Sequence, residues 1–76
     1  MNVDEFDATV QAFCGRRPFR TFQIEFTSGA QMLVKQPEAI RQRGLFYVLR
    51  SPDHGFTLFV PESVTRLLDL PNSTSN

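Results

Sequence analysis

Three arginines, Arg16, Arg17 and Arg20, fall within five residues and interleave with Phe19 and Phe22. Guanidinium groups beside aromatic rings are the chemistry of phosphate or nucleic-acid contact, because the planar fork matches phosphate oxygens and the rings stack on bases. Arg41, Arg43, Arg50 and Arg66 would enlarge that patch if the fold brought them near, and Tyr47 would add a ring. The same cations also have structural uses. Arg16 and Arg17 follow a helical stretch, where positive charge suits the negative end of the helix dipole. The others have eight acids to pair with. Catalysis has thinner support. Cys14 is the only cysteine and His54 the only histidine. A thiol nucleophile needs a base within reach and a third group to orient that base, and no third group is identifiable. Cys14 reads as a small hydrophobe on an apolar helix face, and His54 as a turn residue. Asp4, Glu5 and Asp7 belong to a helix start, while Glu62 and Asp69 flank the last element, so no carboxylate pair is marked out for acid–base work. One histidine with scattered acids is too few for a metal site, and there is no glycine loop to cradle phosphate. The chain is expected to be neither an enzyme nor a cofactor binder.

The elements that position these residues are legible along the chain. Residues 3 to 15 predict a helix, with Phe6, Val10, Phe13 and Cys14 on one face of a 3.6-residue period. Asp4 is the expected N-cap, with Asp7 three residues on as an imperfect capping box. Gly15 stands where a left-handed C-cap residue belongs, and Pro18 forbids continuation. Residues 20 to 27 predict a strand with Phe22, Ile24 and Phe26 on one face. Thr27-Ser28-Gly29 then forms a three-residue hairpin loop with Gly29 left-handed. That length puts Ala30 across from Phe26, Met32 from Ile24 and Val34 from Phe22, so six apolar groups share one face. A two-residue loop would set Phe22 opposite Lys35. The preferred register leaves Leu33 on the outer face. The second strand ends at Pro37. Residues 37 to 43 read as one helical turn or an irregular loop, closed by Gly44. Residues 45 to 50 are an apolar run, expected to be a strand covered on both faces. A turn over 51 to 55, a strand over 56 to 60 and a short 3₁₀ link over 61 to 63 follow. Residues 64 to 70 fit either a fifth strand or a short helix.

Seventy-six residues, 41% of them hydrophobic and eight of them phenylalanine, make one domain, set at residues 1–70 with a disordered polar tail at 71–76. So short a chain buries a small share of its surface, and self-association is a common remedy. Eight basic and eight acidic residues cancel, so any pull toward nucleic acid is local. No apolar run approaches the ~18 residues of a membrane span, and the acidic start is unlike a signal peptide. With a single unpaired cysteine, the expected setting is the cytoplasm.

The fold class expected is α+β, mainly β: an N-terminal helix, then a four- or five-stranded antiparallel bent sheet or small barrel. Its element order resembles Sm-like proteins, and the Pro61-Glu62-Ser63-Val64 step resembles the 3₁₀ turn before the last strand of Src-homology-type barrels. The Sm sequence motifs are absent, so the likeness bears on fold and not on function. Residues Arg17-Pro18-Phe19-Arg20-Thr21-Phe22-Gln23-Ile24, then Ser28-Gly29, then Gln36-Pro37-Glu38, resemble a group of small uncharacterised bacterial proteins common in planctomycete-type genomes. That group reads roughly RPFxPFxI, SxG and HPE; Thr21 and Gln36 stand where it usually has proline and histidine. The resemblance implies no activity.

Under this alternation Leu33 and Phe59, with part of Leu45, Tyr47 and Leu49, face away from the main core. Uncovered apolar groups and open strand edges favour pairing with another chain. The expected role is a binding or assembly domain, with a protein partner or a second copy held by Leu33, Tyr47 and Phe59 inside a rim of Arg16, Arg17 and Arg20. The last two strands are the expected edges. The alternative is an Sm-like nucleic-acid binder using the arginines; a membrane partner is not expected.

Overall fold

The computed structural model describes residues 1–51 and 55–70. Helix α1 spans Val3–Cys14, and six antiparallel strands follow among the described residues: β1 (Phe22–Phe26), β2 (Gln31–Val34), β3 (Ile40–Arg43), β4 (Phe46–Ser51), β5 (Gly55–Phe59) and β6 (Val64–Asp69). They form two three-stranded sheets, ordered β2-β1-β6 and β3-β4-β5. The α+β, mainly β class expected from the sequence is the one observed. Residues 52–54 of the turn expected over 51 to 55, His54 among them, and the tail expected at 71–76 lie outside the described residues.

The first hairpin forms as its sequence dictates. Phe22 pairs with Val34 and Ile24 with Met32. The Phe26 amide donates to the Ala30 carbonyl at 2.9 Å, and the Gly29 amide to the Phe26 carbonyl at 2.9 Å. Gly29 takes φ +93°, which only glycine adopts without strain. Residues 64 to 70 settle as strand β6, not helix, because β1 offers a free edge: Ile24 pairs with Leu67 and Phe22 with Asp69, with a bulge at Glu25/Phe26.

Four local expectations are corrected. Asn2, not Asp4, caps α1: its side chain accepts from the Glu5 amide at 2.8 Å, and the Glu5 carboxylate accepts from the Asn2 amide at 3.5 Å. Asparagine here puts a glutamate at the third helical position and completes the capping box. Gly15 is right-handed, at φ −86°. Past Pro37 the chain makes one 3₁₀ turn, Pro37–Ala39, and then extends as β3. A two-residue loop of Gly44 and Leu45 joins β3 to β4, with Gly44 at φ +62°, the sign its first position requires in a primed hairpin turn. Finally, β4 is covered on one face only: Tyr47 and Leu49 are buried, while Phe46 is exposed.

The core lies between the sheets. Phe22, Ile24, Val34 and Val64 come from the first, and Ile40, Tyr47, Leu49 and Phe59 from the second. Helix α1 bridges them. It sets Phe6 edge-on to Tyr47 at 4.7 Å and to Phe59 at 5.6 Å, and Phe13 against Phe22 at 4.9 Å. As expected, β5 and β6 are edges; β2 and β3 are the others.

Candidate binding face on the second sheet

The residues expected to form the contact surface are not brought together. Leu33 is exposed, as the hairpin register requires, on the outer face of the first sheet. Tyr47 and Phe59 are 3% and 8% exposed, stacked at 6.0 Å inside the core. They point inward because Phe6 of α1 needs partners there, and strand alternation then sends their neighbours out. The arginine rim also dissolves. Arg16 and Arg20 both reach Asp69 of β6, at 2.9 and 3.2 Å, and Arg16 lies over the Phe13 ring at 4.7 Å. These two cations tie the loop after α1 to the last strand. Arg17 alone of the three is exposed with no ion pair among the described residues.

The groups displaced outward build a different surface. On the outer face of β3-β4-β5, Arg43 sits directly across from Phe46, Arg41 across from Val48, which in turn faces Leu58, and Arg50 across from Phe56. Directly opposed residues project to the same side, with Cβ atoms ~5 Å apart. Phe46, Leu58 and Phe56 are 50%, 64% and 69% exposed, and Leu45 in the adjoining turn is 84% exposed. A hollow of 220 Å³ opens here, lined by Glu38, Ala39, Arg41, Arg43, Val48, Arg50 and Phe56. None of Arg41, Arg43 and Arg50 forms an ion pair with a described residue.

The outer face of the first sheet is the control. There Glu25 stands between Gln31 and Arg66 on the neighbouring strands. Arg66 Nε donates to the Glu25 carboxylate at 2.7 Å and the Gln31 amide donates to it at 3.3 Å. One sheet neutralises its arginine with a cross-strand acid; the other sets every arginine opposite an apolar side chain. The sequence holds a signal for the second arrangement. Arg50 must face water, so Val48 and Phe46, two and four residues before it, share its side.

The Cys14 thiol lies 3.9 Å from the Pro37 carbonyl, and burial pushes its pKa up, away from the reactive thiolate. No group of three metal-ligating side chains converges among the described residues. No helix among them is long and apolar enough to cross a membrane. No family model, curated protein or solved structure matches the chain.

Proposed function

We propose that this chain is a small, non-catalytic binding domain that recognises an anionic partner through the outer face of β3-β4-β5. One observation carries the reading: three exposed apolar side chains share one sheet face with three arginines that form no ion pair among the described residues, while the other sheet pairs its own arginine. Apolar area left in water is worth about 25 cal/mol per Å² to any partner that covers it. The arginines add steering and register. Self-association through this same face is disfavoured, since a two-fold contact would set a basic patch against its own copy. The helix-then-strands order, with a 3₁₀ turn before β6, is compatible with a small Sm-like barrel, a likeness that bears on fold alone. A reducing cytoplasm suits the free Cys14.

The test is a photo-cross-linking amino acid placed in cells at Phe46, at Phe56, or at Gln31 on the first sheet. Adducts should form from the first two positions and not from Gln31. Equal labelling at all three, or none, would sink the reading.

A further inference from the structure

We infer that the partner is a single-stranded nucleic acid, its phosphates held by Arg41, Arg43 and Arg50 and its bases stacked on Phe46 and Phe56. This rests on the binding reading of the same face and names its ligand. The argument from charge comes first. Three guanidinium groups without an ion-pair partner among the described residues stand around the hollow against one acid, Glu38. The chain as a whole is neutral, so this local excess is what an anion would meet.

The rings decide between anions. Each exposed phenylalanine has an arginine directly across the strand from it, Phe46 with Arg43 and Phe56 with Arg50. An acidic peptide would use the cations and leave the rings in water. A polymer that alternates anions with flat π faces uses both. The spacing excludes a duplex. Phe46 and Arg50, which faces Phe56, are four residues apart on β4, or about 13 Å at the usual strand rise. Stacked bases within a helix are separated by ~3.4 Å. Two rings so far apart serve bases splayed out of a single strand, and a duplex exposes base edges instead of faces.

The experiment is fluorescence anisotropy with the full chain and labelled single-stranded RNA or DNA of mixed sequence, from low to high salt. Three phosphate contacts predict a log–log salt slope of about −2, and Arg43→Gln or Arg50→Gln should each bring it to about −1.4. Phe46→Ala and Phe56→Ala should each weaken binding about 5- to 150-fold at unchanged slope. Arg17→Gln, on another surface, should change nothing. RNA and DNA arms tell the two strands apart, with a preference reading contact to the ribose hydroxyl. All substituted side chains are exposed, and circular dichroism checks that each variant folds. The inference is overturned if neither strand binds at low salt, if binding ignores both phenylalanine substitutions, or if a duplex or poly-glutamate competes as well as the single strand. In those cases adducts at Phe46 and Phe56 would still uphold a binding face, with a duplex as its occupant if the duplex competes and a protein otherwise.

Discussion

Tyr47 shows how one side chain links core and surface. It is buried against Phe6 and Phe59, and its hydroxyl donates to Asp7 at 3.2 Å. Its pKa is raised from the ordinary 10.0, first by burial, then by the Asp7 charge and the hydrogen bond to it. The unfolded chain therefore loses this proton at lower pH than the folded one. Stability from this group is fully present below the ordinary value and falls as pH rises through the folded one. Titration of the phenol, the only tyrosine in the chain, should read a midpoint above 10.0. Tyr47→Phe should flatten the alkaline loss in urea midpoint and cost about 0.5–1.5 kcal/mol near neutral pH through the lost hydrogen bond. Cys14, whose pKa burial also raises, adds an alkaline effect of the same sign that the variant keeps. The arginines make the complementary point. The sequence displayed every one of them, but Arg20 and its partner Asp69 lie 49 residues apart, so which cations were already spent on acids was not legible locally.

At the scale of the element, the β1–β2 hairpin is the most self-contained unit. Its register follows from a three-residue loop and a single left-handed glycine. A Cβ at Gly29 would meet nothing within 4 Å, so Gly29→Ala should express backbone strain alone, about 1–2 kcal/mol. Urea unfolding reads that loss, and ligand binding by the second sheet should be unaffected. Strand β4 is the contrasting case. Its run Phe46-Tyr47-Val48-Leu49 has apolar groups on both sides and suggests cover on both. Only Arg50 hints at the outward face. Strand β5 carries no charge at all, so its face is inherited from pairing with β4.

For the whole molecule, α1 is the keystone between two separate three-stranded sheets. Phe6 is fully buried against Tyr47 and Phe59 of the second sheet, and Phe13 packs on Phe22 of the first. Phe6→Ala should cost about 3–5 kcal/mol. A chain of 76 residues has a total stability of about 4–11 kcal/mol. The variant should therefore melt far below the parent or fail to fold, as a thermal scan would show; a melting point within a few degrees of the parent would mean the sheets hold without the helix. The same packing creates the functional asymmetry. With α1 drawing Tyr47 and Phe59 inward, the alternate side chains of β4 and β5 turn outward and join the arginines in solvent.

What the sequence determined by itself were features whose causes are near neighbours: the helix, the first hairpin with its register, and the prolines that end elements. Those need only periodicity, one glycine and short loops. The tertiary structure alone decided which face of β4 and β5 meets water and which arginines stay unpaired. Tyr47 and Asp7 are 40 residues apart, and in a strand apolar on both sides Arg50 alone is a local instruction about which side to expose. That choice belongs to whatever packs against it, here the first turns of α1.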